Sequence, residues 1–183
     1  MLTINAIPAK FLFFPAKKQI RISGLNFVQV SKCYPEAYNV YDNNGDQVGQ
    51  VSLRWGCLSC KYPNSKGERI YESFFERDFM GEFDTDDQRR IFLEDVAHTL
   101  IQKISGIKCT NRNQFECIKW FQKYGFTFAE KGDVCNLIGK LEDENAWVIK
   151  SENGAVQIVP DEMFKEHFKA KVVANESMVI ICA

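Results

Sequence analysis

The sequence has no apolar run of about 18 residues, so it offers no membrane-spanning helix. Histidine is nearly absent: His98 and His167 are the two in 183 residues. No H-E-x-x-H pair, Ser-His-Asp order or glycine-rich phosphate loop occurs, so nothing positive points to an enzyme. Charge excess is also missing. A net charge of −1 argues against a generally basic nucleic-acid binder. No internal repeat, low-complexity stretch or Pro- or Ser-rich linker divides the chain. Near the start, the apolar run precedes the lysines, the reverse of an export signal, so none is expected. Seven cysteines, an odd number, are then expected to be mostly reduced in a cytosol.

What is present begins with Thr85 to Gly106, the clearest helix. Thr85 and Gln88 have the spacing of a capping box, and Asp86 and Asp87 suit the positive end of the helix dipole. Phe92, Leu93, Val96, Ala97, Leu100, Ile101 and Ile104 form one apolar stripe, and Gly106 is a C-terminal stop. Leu93, Val96, Leu100 and Ile104 are therefore predicted to be buried against a sheet.

Strand signals surround this helix. Before it they cover Leu2–Ala6, Lys10–Phe14, Gln19–Ile22, Asn26–Val30, Ala37–Tyr41, Gln47–Trp55, Cys57–Tyr62 and Arg69–Phe75. Asn44-Gly45 marks a hairpin, Gly49 a bulge and Gly56 a second reversal. The Asp42–Asp46 turn lacks the distal Glu of a calcium loop and reads as the hairpin turn. After the helix, Asn113 and Glu116 form another capping box, predicting a helix from Gln114 to Tyr124. Strands follow at Phe126–Glu130, Val134–Leu141, Ala146–Lys150 and Ala155–Val159, then a short helix Asp161–Phe168 and closing strands Lys171–Ala174 and Met178–Cys182. The fold class is α+β: an antiparallel sheet covered by one long helix, plus a smaller C-terminal helix-hairpin-helix unit. Residues 1–106 and 107–183 are the two units, with a shared core left open.

Candidate sites come from charge, aromatics and cysteine spacing. Residues 1–35 hold Lys10, Lys17, Lys18, Arg21 and Lys32 and no acid, a candidate nucleic-acid surface. Glu76, Asp78, Glu82, Asp84 and Asp87 belong to an acidic stretch containing Phe79 and Phe83, either a protein-docking surface or a solvated loop folded onto its own sheet. Cys57 and Cys60 form a C-x-x-C. If the backbone turns there, their thiolates can hold one side of a zinc ion, with Cys109 and Cys117 as further ligands. If they continue a regular strand they face opposite ways and serve as packing residues. A redox pair would need a following helix, which the sequence does not offer.

Residues 146–172, AWVIKSENGAVQIVPDEMFKEHFKAKV, carry Trp147, Val148, Gly154, Val159, Pro160, Phe164 and Phe168 in an outline that resembles the Pro-Gly-Asp-Tyr-type module of phage and prophage proteins. Glu144-Asn145-Ala146-Trp147 replaces that module's opening, and Phe168 stands where Tyr is usual. Residues 38–72 look like uncharacterised small proteins of bacterial mobile elements. The resemblance implies a phage or prophage origin and action in the host cytoplasm. Accessory phage proteins of this size include inhibitors of host defence. The expectation is therefore a non-enzymatic binder of a host protein, an anti-CRISPR protein directed at an effector nuclease. The alternative is a small zinc-binding or nucleic-acid-binding phage accessory protein.

Overall fold

The computed structural model describes residues 18–31, 34–75, 81–106, 113–123 and 126–171. The expected strands Leu2–Ala6, Lys10–Phe14 and Met178–Cys182 lie outside them. The first six strands form an antiparallel meander in sequence order: β1 (Gln19–Ile22), β2 (Leu25–Ser31), β3 (Glu36–Tyr41), β4 (Gln47–Arg54), β5 (Cys57–Tyr62) and β6 (Glu68–Phe74). Their alternation puts Phe27, Tyr38, Val40, Val51, Leu53, Leu58 and Cys60 on one buried face. The register of β3 on β4 steps from Val40↔Gly49 to Tyr41↔Gln47, so the bulge falls beside Gly49.

Helix α1 (Asp86–Ser105) crosses that buried face. Thr85 Oγ1 accepts the Gln88 amide at 3.0 Å, and the Gln88 side chain accepts the Asp84 amide at 2.9 Å. Gly106, at φ 69°, closes the helix by donating to the Gln102 carbonyl. Leu93, Val96 and Leu100 are fully buried, whereas Ile104 is 46% exposed. The apolar stripe outruns the sheet beneath it by a turn, and the expectation for Ile104 is corrected accordingly.

The helix does not simply cover one sheet. A second antiparallel sheet, in spatial order Val156–Pro160, Ala146–Lys150, Val134–Leu141, Gln114–Cys117 and Phe168–Ala170, takes its other side. These strands are β7 (Gln114–Cys117), β10 (Val134–Leu141), β11 (Ala146–Lys150), β12 (Val156–Pro160) and β13 (Phe168–Ala170), with a ribbon of β8 (Phe121–Lys123) and β9 (Phe126–Ala129) alongside. Leu141, Val148 and Val156 of this sheet join the helix and the first sheet in one hydrophobic cluster. A second cluster, Cys117, Phe121, Cys135, Ile149, Val159, Phe164 and Phe168, lies under the short helix α2 (Asp161–His167). A parallel bridge between Phe74 and Ala155, with the Phe74 amide donating to the Gly154 carbonyl, ties the two sheets at one edge.

The helix predicted over 114–124 does not form: its described residues give β7 and β8 with a bend between them. Phe115, Ile118 and Phe121 mimic a helical stripe, but β7 pairs with β10 on one side and β13 on the other. Those ladders satisfy backbone groups that a helix would satisfy locally, and they bury Cys117. The helix-hairpin-helix unit thus reduces to a five-stranded sheet with one short helix. Among the described residues no helix is long and apolar enough to cross a membrane.

Candidate functional site

Two distant segments build an acidic surface at the start of α1. The helix brings Asp86 and Asp87 in its first turn, preceded by exposed Glu82 and Asp84. The turn between β10 and β11 brings Asp143 and Glu144, because β10 packs directly on α1. Gly139 makes that approach possible: a Cβ there would stand 2.8 Å from an Ile91 methyl. Thr85, Asp86, Asp87, Leu141, Asp143 and Glu144 line one shallow concavity. Among the described residues Glu82, Asp87, Asp143 and Glu144 form no ion pair.

The base of this surface is held by a buried carboxylate. Glu36, with 1% of its side chain exposed, accepts from Arg89 Nε at 2.6 Å, from the Phe83 amide at 3.1 Å and from the Tyr38 hydroxyl. Every acceptor lobe has a donor, so this charge is compensated rather than stranded. Burial first, and then the Glu36 hydrogen bond, push the Tyr38 phenol well above its ordinary range. Arg89 also pairs with Asp86, which takes Lys18 Nζ at 2.7 Å. The Lys18 hydrogen bond and charge, with Arg89 behind them, hold the Asp86 carboxyl below its usual range. Arg89 thereby links the helix start to β3.

The other expected site residues separate. Glu76, Asp78, Phe79 and Cys109 lie outside the described residues, as do Lys10, Lys17 and Lys32. Phe83, for which a docking loop and a loop folded onto its own sheet were both open, is buried and stacked on Phe92, as the second reading has it. Cys57 and Cys60 sit in the regular strand β5, three residues apart, and so face opposite sides. Cys60 is fully buried and its thiol is pushed up to about 12. Cys57 turns outward towards Glu72, and its thiol rises to about 11, chiefly by burial and then by that contact. Cys117 is buried in the second cluster, donating to the carbonyls of Lys119 and Ala129. Among the described residues no three His, Cys, Asp or Glu side chains converge on a metal position. His98 is exposed on α1, while His167 Nδ1 lies 3.0 Å from the Lys119 carbonyl.

Sequence reading missed Asp143 and Glu144. The run Glu142-Asp143-Glu144 was visible, but only the packing of β10 on α1 adds it to Asp86 and Asp87. Comparisons of the chain with protein-family models, curated proteins and solved structures found no match in any of the three.

Proposed function

We propose that this chain is a non-enzymatic binding protein whose acidic surface docks on a basic groove of a host protein, with a CRISPR effector nuclease as the specific target. The supporting observation is the convergence of Asp87, Asp143 and Glu144 on one concave surface, where no cation among the described residues neutralises them. Such a surface competes for grooves built to neutralise phosphates, because both ligands present closely spaced negative charge. The phage origin and the host cytoplasm follow from the resemblance of residues 146–172, and the choice of effector rests on it too. The alternative through the basic N-terminal segment is weakened at the point that is described. Lys18 is spent on Asp86.

The test is capture of purified effector nucleases by the full chain, with DNA cleavage measured in parallel. Binding is expected to weaken with salt and to fall on Asp87→Lys and Asp143→Lys, since complementary charge acts on association rate and salt dependence. No binding and no inhibition across a panel of effectors removes the nuclease target. Binding unchanged by both charge reversals removes the acidic surface.

A further inference from the structure

The first sheet has a second face, turned away from α1. The register places Arg54, Cys57 and Phe74 in one cross-strand row, Ser52, Ser59 and Glu72 in the next, and Gln50, Lys61 and Arg69 in a third. On the next two strands, β3 and β2, Asn39 and Tyr41 stand opposite Val28 and Asn26, and Arg21 on β1 pairs with Asn26. In a chain of net charge −1, this face carries four cations and one acid within its strands. That acid, Glu72, is held by Arg69. Arg21, Arg54 and Lys61 have no carboxylate partner among the described residues; Lys61 donates to the Ser65 carbonyl and Arg21 to Asn43.

An aromatic platform stands at the Arg54 end. Trp55 is 55% exposed and meets Tyr34, itself 45% exposed, edge to face at 5.4 Å; Phe74 is 44% exposed. The Arg54 guanidinium lies 5.9 Å from the Trp55 ring. The Tyr34 ring is seated on Gly81, where a Cβ would fall 1.7 Å from a ring carbon. Trp55 is also held at φ 54°, next to Gly56 at φ 68°. Two positive φ values in a two-residue hairpin turn favour Asn-Gly, and a bulky aromatic there is strained. The comparable β1–β2 turn uses Ser23 and Gly24. A large, half-exposed ring in a strained position is an outlier of the kind that concentrates at functional positions.

We infer that this face binds single-stranded nucleic acid, with Trp55 and Tyr34 stacking on bases and Arg54 and Lys61 meeting the phosphates. Aromatic rings beside a cationic groove are the two elements by which unpaired strands are bound without sequence readout. The occupant is a polyanion because the cations outnumber the acid. It is single-stranded because the stacking rings need unpaired bases. This surface is separate from the acidic one, so each proposal stands or fails by its own variants.

The experiment is fluorescence polarisation of the full chain with labelled oligo-dT, oligo-U and a duplex of equal length, at low salt and over a salt series. Both single strands are expected to bind more tightly than the duplex, with affinity falling as salt rises. The dT and U arms then separate DNA from RNA preference. Trp55→Asn suits the turn and should leave the melting temperature unchanged or higher, while weakening binding roughly ten-fold, the loss of one base stack. Arg54→Ala with Lys61→Ala should flatten the salt dependence. Trp120→Ala, at a 54% exposed tryptophan outside this sheet, should change nothing. Absence of binding at low salt overturns the inference. So does equal binding of duplex, or binding insensitive to Trp55→Asn, since either leaves only nonspecific attraction to charge.

Discussion

Leu100→Ala tests whether α1 is clamped between the sheets. Leu100 is fully buried, and beneath it lies backbone rather than a movable side chain. A Cβ at Gly49 would stand 3.1 Å from both Leu100 methyls. Removing three carbons forfeits about 2.4 kcal/mol of transfer energy. A residual void of roughly 80 Å³ at ~24 cal/mol per Å³ adds about 2 kcal/mol, so the expected loss is about 4 kcal/mol. The diagnostic partner is Gly49→Ala. Alone it crowds Leu100 and should cost about 1 kcal/mol. In the Leu100→Ala background its methyl enters the void, so the double variant should be more stable than the sum by about 1–2 kcal/mol. Urea denaturation with a common m-value measures all four corners of the cycle. Additivity within about 0.5 kcal/mol would show that Leu100 does not rest on the β4 backbone and that the reasoning is wrong.

Two further outcomes follow from single positions. Gly67→Ala should cost several kcal/mol or prevent folding, because its Cβ would fall 1.8 Å from the Tyr62 carbonyl oxygen, a backbone atom that cannot swing away; a melting temperature equal to the parent's would contradict the β5–β6 turn. Burial raises the Cys60 thiol to about 12, above its unfolded value, so the neutral thiol's contribution is complete below about pH 8.5 and is lost as pH rises towards 12; the denaturant midpoint should fall more steeply above pH ~9 for the parent than for Cys60→Ala, and parallel curves would contradict this.

Legibility of the fold followed the range of the interactions. β1, β5, β10 and β11 agree with the sequence reading to the residue, because alternation and Gly-marked turns are local. The α1 caps were legible for the same reason. The second sheet was not. β7 is short, and its identity as a strand comes from β10 and β13, which lie 17 and more residues further along the chain. The three-residue spacing of Phe115, Ile118 and Phe121 matched a helix equally well until those partners were in place. Half of the candidate surface was hidden likewise: Asp143 and Glu144 reach Asp87 only after β10 docks. The Cys57–Cys60 spacing, in contrast, was ambiguous only in backbone, and the pairing of β5 with β4 and β6, regular from Cys57 to Cys60, fixes it as extended.

The position of the acidic surface depends on how α1 is turned about its axis. Hydrophobic burial, being non-directional, holds a helix between two sheets only weakly in rotation. Two polar contacts remove that freedom. Arg89 fastens the N-terminal half to Glu36 on the first sheet. Two turns later, buried Asp95 meets Lys150 of β11 at 3.5 Å, with the Lys150 ammonium 3.8 Å from the Tyr71 ring centroid. The anchors lie six residues apart, about 600° of helical turn and so 120° away from a common line, and they pull towards opposite sheets. Desolvation offsets much of the energy of such pairs, so their effect is on orientation more than on stability. With both formed, the helix start carries Asp87 towards the β10–β11 turn, and Asp86 is kept back by Lys18 and Arg89. The unpaired acids of the surface therefore take their places from charges paired inside the fold.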